Sequence, residues 1–150
     1  MIHETISIQT EGSLPDTRLT TYILDAYEEQ DPGLKRPLVL VCPGGAYRFT
    51  ADREAEMIAL QFNSMGYHSA VLRYSCAPAV FPTALTEVAA SIKMIKEQSK
   101  NWHVDTEKIF VMGFSAGGHL AASYGVFWNR SFVAEAVGCS TEFLKIAGMI

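Results

Sequence analysis

The segment Gly113-Phe114-Ser115-Ala116-Gly117 sets a serine between glycines two positions to either side. A serine hydroxyl can attack an acyl carbon, and this spacing suits a hydroxyl presented from a sharp strand-to-helix turn. Such a turn strains the serine backbone, and the flanking glycines remove side chains that would collide across it. The five residues alone are weak evidence, because a Gly-rich turn needs no chemistry. Their surroundings strengthen them. Ile109-Phe110-Val111-Met112 is apolar throughout, and Leu120, Tyr124 and Phe127 recur on one helical face beyond the turn. Ser115 would then stand at the carboxyl end of a sheet, where open α/β sheets bind ligands. It would also stand at a helix N-terminus, where free amides favour developing negative charge.

A second stretch, Cys42-Pro43-Gly44-Gly45-Ala46-Tyr47, follows the apolar run Leu38 to Cys42. Acyl transfer develops an oxyanion, which needs backbone amides converging on one point, and glycines let the backbone come that close. The amides of Gly45, Ala46 and Ala116 are the candidates for that hole. Tyr47 and Arg48 are candidates to line a substrate pocket. Phe49 belongs either there or beneath the next helix. Pro-Gly-Gly by itself would only turn the chain, and the order of the two segments carries the argument.

The elements that must hold them follow from hydrophobic period. Ile6 and Ile8 alternate with polar residues, residues 11–16 are turn material, and Leu19 to Leu24 returns as the second strand of a hairpin. Residues 28–36 read as a loop. Asp52 is placed to cap a helix whose apolar positions are Ile58, Phe62 and Met65, ended by Gly66. Ser69 to Leu72 is a buried strand. Leu85, Val88, Ala89, Ile92 and Ile95 then mark one face of a helix with Pro82 near its first turn. Ala147 to Ile150 reads as a further parallel strand just beginning. Alternating strands and helices imply parallel βαβ units. The expected fold is therefore α/β, a three-layer, mostly parallel sheet with an N-terminal antiparallel hairpin, forming one domain over residues 1–150 and truncated after the helix that follows Ser115.

With both segments in place a resemblance can be stated. Pro43-Gly44-Gly45-Ala46-Tyr47 resembles the HGGG-type or PGGGY oxyanion loop of esterases and lipases. Arg73-Tyr74 with Ala77-Pro78 looks like their Y-R-x-A-P segment with its first two residues reversed. Gly113 to Ala121 is similar to the elbow of bacterial α/β-hydrolase esterases of the acetyl-xylan and feruloyl esterase group. The likeness runs from about residue 37 to the last residue, and Ala46 departs from it where a third glycine is usual. The resemblance implies a carboxylic-ester hydrolase acting through an acyl-enzyme on short acyl esters, with acetylated carbohydrate as one substrate class. It implies no cofactor and no metal. A prolyl-oligopeptidase-type peptidase and a non-catalytic α/β fragment are the alternatives.

In that family the acid and the histidine follow the serine. Here only Glu135, Glu142 and His119 do so. His119 is read as a structural residue pointing into the helix body, and His68 and His103 fall at the opposite end of the sheet. The expectation is a fragment, inactive or nearly so, whose acid and base lie beyond Ile150, with an exposed sheet edge through which copies could associate. The net charge of -4 and the lack of a basic cluster exclude a polyanion partner such as nucleic acid. No apolar run is long enough for a membrane span. Cys42, Cys76 and Cys139, widely spaced and odd in number, point to a reducing cytoplasm.

Overall fold

The structure, a computed structural model, describes residues 1–27, 29 and 31–150. β1 (Thr5–Ser7) pairs antiparallel with β2 (Arg18–Tyr22), which is the expected hairpin. In the loop expected over residues 28–36, Glu28 and Gln30 lie outside the described residues, and Arg36 already opens β3 (Arg36–Cys42). With β4 (His68–Arg73), β5 (Val104–Gly113) and β6 (Gly148–Met149), these strands form a six-stranded sheet in the order β1-β2-β4-β3-β5-β6. β4, β3, β5 and β6 run parallel, and β2 meets β4 antiparallel.

The central strands lack alternation because both faces are covered. Leu38, Leu40 and Cys42 of β3 face a core shared with α2 (Thr83–Glu97), α4 (Ala116–Phe127) and α5 (Ser131–Val137). Val39 and Val41 face the other side, with Ala55, Ala59 and Val71, beneath α1 (Glu56–Ser64). The predicted face of α2 is the observed one. Leu85, Val88, Ala89, Ile92 and Ile95 are all buried, each large side chain contributing roughly 1.5–3 kcal/mol. The short α3 (Ser99–Trp102) leads into β5, with Trp102 packed beneath it.

The first helix departs from expectation. Asp52 lies in a separate 3-10 turn, Asp52–Glu54, and caps nothing with its side chain, while α1 begins at Glu56. Its carboxylate accepts from Arg73 Nη2 at 3.0 Å instead, an ion pair between the loop and β4. Nor does α1 bury Met65, which is 61% exposed; Ala59 is its buried residue, and Ile58 and Phe62 are half-buried. Ala55 and Ala59, one turn apart, bring the helix backbone close to the sheet, and longer side chains are pushed to the flanks.

Two buried polar groups tie distant segments together. Glu87 on α2 is fully buried, and its carboxylate accepts from the Ser75 amide at 2.7 Å, the Ser75 hydroxyl at 2.5 Å and the Ser13 hydroxyl at 2.6 Å. It thereby pins the hairpin turn and the β4–α2 loop to one helix. At the opposite end of the sheet, as expected, His68 accepts from the Leu24 amide through Nδ1 at 3.1 Å and donates through Nε2 to the His103 carbonyl at 3.2 Å. Only neutral imidazole can serve both partners. Burial lowers the His68 pKa to about 4, with the nearby Arg36 adding to the effect.

Replacing Glu87 with Ala strands three donors, so urea unfolding should show a loss of about 2–4 kcal/mol, and Glu87→Gln a smaller one. The His68 contribution is complete above its unfolded pKa of 6.5 and is lost as pH falls toward about 4. Stability at pH 4.5 should therefore lie about 2–3 kcal/mol below that at pH 7, and His68→Gln should flatten this slope.

Candidate active site

The chain reverses from β5 into α4 at Ser115, whose backbone sits at φ 52° and ψ −117°. That conformation is uncommon for a residue with a side chain. The neighbouring glycines are dictated by contact. A Cβ on Gly113 would lie 2.0 Å from the Gly117 carbonyl oxygen, and one on Gly117 would lie 2.0 Å from the Cys42 carbonyl oxygen. The first turn of α4 thus rests directly on the end of β3.

This contact sets the β3 loop against the serine. A Cβ on Gly44 would fall 2.7 Å from the Phe114 carbonyl oxygen and 3.2 Å from the Ser115 Cβ. Beyond it the loop runs through Gly45 at φ 140°, Ala46 at φ 57° and Tyr47 at φ 57°. Ala46 therefore adopts a left-handed conformation that a glycine would take without strain. The amides of Gly45, Ala46 and Ala116 donate to no acceptor among the described residues. The Ser115 side chain is exposed, and no described residue hydrogen-bonds to its hydroxyl.

Several side chains hold the loop in this shape. The Tyr74 hydroxyl donates to the Pro43 carbonyl at 2.5 Å, the Ala77 amide to the Tyr47 carbonyl at 2.7 Å, and Arg73 Nη1 to the Thr50 carbonyl at 2.6 Å. Tyr47 Oη lies 2.8 Å from His119 Nδ1, and its ring stands edge-on to both His119 and Tyr74. Burial raises the pKa of Tyr47 and Tyr74, so both stay protonated at neutral pH. Burial also pushes the Cys42 thiol to about 12, which leaves it a packing residue and no nucleophile.

Three expectations need correction. His119 does not point into the helix body; it is exposed and bonded across to Tyr47, because α4 presents it toward the loop, one turn beyond Ser115. Phe49 does not pack beneath α1; it lines the same groove as Arg48. It is 57% exposed, folded back beside Gly45. Tyr47 and Arg48 do not share a pocket. Tyr47 lines an apolar cavity of about 220 Å³ against α4, while Arg48 lines a groove of about 310 Å³ with Arg18, Arg73 and Asp52. Successive side chains on a turning backbone diverge, and the 44–50 loop separates the two hollows.

Sequence reasoning missed Tyr74 as a clamp on this loop, although Tyr74 belongs to the segment that carried the resemblance. Glu135 and Glu142 are exposed on α5 and on the 3-10 turn Glu142–Leu144, and neither bonds to Ser115. Among the described residues, no group of three or more His, Cys, Asp or Glu could hold a metal ion. Nor, among the described residues, is any helix long and apolar enough to cross a membrane.

Known proteins share this arrangement. MGS-M1, an alpha/beta hydrolase enzyme from a Medee basin deep-sea metagenome library, is 41% identical over 80% of this chain and 49% of its own, with a TM-score of 0.74. The carboxylesterase Cest-2923 of Lactobacillus plantarum WCFS1 is 30% identical over 92% of this chain and 50% of its own, with a TM-score of 0.81. Endo-1,4-beta-xylanase B of Butyrivibrio fibrisolvens is 30% identical over 110 residues, which are 71% of this chain and 17% of that protein. The chain thus spans about half the length of these two solved structures and under a fifth of that xylanase. The BD-FAE family model matches residues 24–146, and with the sheet order and the solved relatives this places the chain in the BD-FAE family, on an α/β-hydrolase fold.

Proposed function

We propose that the protein to which this chain belongs is a carboxylic-ester hydrolase, with Ser115 as its nucleophile. The observation that supports the reading is the approach of Gly44 to Ser115, next to a loop whose Gly45 and Ala46 amides, like that of Ala116, have no acceptor among the described residues. Ser115 Oγ would bond to the acyl carbon while the alcohol leaves with the serine's proton. The amides of Gly45, Ala46 and Ala116 would hold the oxyanion, and water would then release the acid. The similarity to a carboxylesterase supports this chemistry. The family resemblance supports acetylated carbohydrate as one substrate class, and the name of the xylanase relative supports a carbohydrate only.

Ser115 has no base within bonding reach among the described residues, so in these 150 residues the serine is a slow nucleophile. The chain is taken as a single domain whose three cysteines, all free, suit a reducing cytoplasm. β6 stands at the sheet edge with Met149 half-exposed, and copies of the chain could associate there.

With p-nitrophenyl acetate, the chain should turn over no faster than about 10³–10⁴-fold above water, the residual that binding and an oxyanion hole supply without a complete triad. A fluorophosphonate probe should label the chain, and Ser115→Ala should remove that labelling. Labelling undiminished in that variant would refute the role given to Ser115. Because Ser115 holds a strained backbone, Ser115→Gly should be more stable than Ser115→Ala by about 1 kcal/mol in urea.

A further inference from the structure

The cavity beside Tyr47 has no role in the chemistry described above. It lies between the β4–α2 loop, the first turn of α2 and α4, walled by Ala77, Ala79, Ala84, Leu85 and Leu120. Its inner end is tied to the reacting groups on two sides. Tyr47 directly follows Ala46, and His119, hydrogen-bonded to Tyr47, donates its amide to the Ser115 carbonyl at 2.9 Å. His119, which lines the cavity, lies one helical turn, roughly 5 Å, beyond Ser115 along α4.

The hydroxyl groups at its walls are already engaged, while His119 Nε2 has no partner among the described residues. The Ser123 hydroxyl donates to the His119 carbonyl at 2.8 Å, and the Ser75 hydroxyl is held by Glu87. What remains is apolar surface, with Val80 and Phe81 at the rim, 75% and 66% exposed. At about 220 Å³ the cavity has space for roughly seven water-sized groups of about 30 Å³ each. An acetyl group would leave most of it empty. The groove on the other side of the loop, with Arg18, Arg48, Arg73, Asp16 and Asp52, has the opposite character and suits a hydroxyl-rich alcohol.

We propose that this Ala-walled cavity is the acyl subsite of Ser115 and takes an apolar acyl group of about six to eight carbons, aryl-alkyl or unbranched. The acyl part stays attached to the serine after the alcohol has left, so it is the part for which an enclosed apolar wall lowers free energy in both half-reactions. The assignment of the occupant as acyl rests on the ester-hydrolase reading; the binding it predicts does not.

The test therefore reads binding in the 150-residue chain carrying Ser115→Ala, where no turnover intervenes. Phenylacetate and acetate are titrated while backbone amide NMR signals are followed. Phenylacetate should perturb Ala77, Ala84, Leu120 and Ser123 and bind at least about tenfold tighter than acetate, since each buried methylene is worth roughly fourfold. Ala84→Phe and Ser123→Phe, which fill the cavity from different helices, should each weaken phenylacetate by about tenfold or more while the amide spectrum stays folded. Equal affinity for the two acids, undetectable phenylacetate binding, or affinity unchanged in a folded plugged variant would overturn the assignment. Binding as predicted, with no fluorophosphonate labelling of Ser115 in the parent, would instead count against the ester-hydrolase reading alone.

Discussion

The contact on which the site depends is made where no side chain fits. Gly117, in the first turn of α4, meets the carbonyl groups of Cys42 and Pro43 so closely that a Cβ would overlap their oxygens. Protein interiors do not absorb an overlap of that size without moving backbone. The helix after Ser115 and the loop after β3 are thus locked in one relative position. That position puts Gly44 against the serine.

The loop reaching this point is strained, and the strain is held by long-range bonds. Ala46 and Tyr47 both take left-handed backbone, a state that costs on the order of 1–3 kcal/mol per residue. Four groups hold it there. β4 contributes Arg73; the residues just after it contribute the Tyr74 hydroxyl and the Ala77 amide; α4 contributes His119. None of these groups was bound to be near the loop on local grounds. Together they hold the backbone of this segment in one shape.

The opposite end of the sheet answers a different need. His68 there must stay neutral to accept from Leu24 and donate to His103, so it acts as a pH-sensitive fastener remote from the serine. Glu87 fastens the hairpin turn to the β4–α2 loop and so fixes one wall of the apolar cavity through Ser75. The carboxylate and the cavity are thereby coupled, since Ser75 contributes to both.

By itself the sequence determined what depends on neighbours along the chain. Apolar runs at Leu38, Ser69 and Ile109 specify buried strands, and the spacing of Leu85 to Ile95 specifies the buried face of α2. The glycines at 113 and 117 specify a turn that only glycine permits, because period and steric exclusion act over a few residues. Tertiary structure decided what depends on distances between elements. Ala55 and Ala59 set how close α1 lies to the sheet, which is why Met65 stays outside and Asp52 finds Arg73 in place of a helix end. The same applies to Tyr47 and His119, 72 residues apart in sequence and hydrogen-bonded in the fold. Their meeting depends on the closeness of β3 and α4, and no pattern within either segment encodes it.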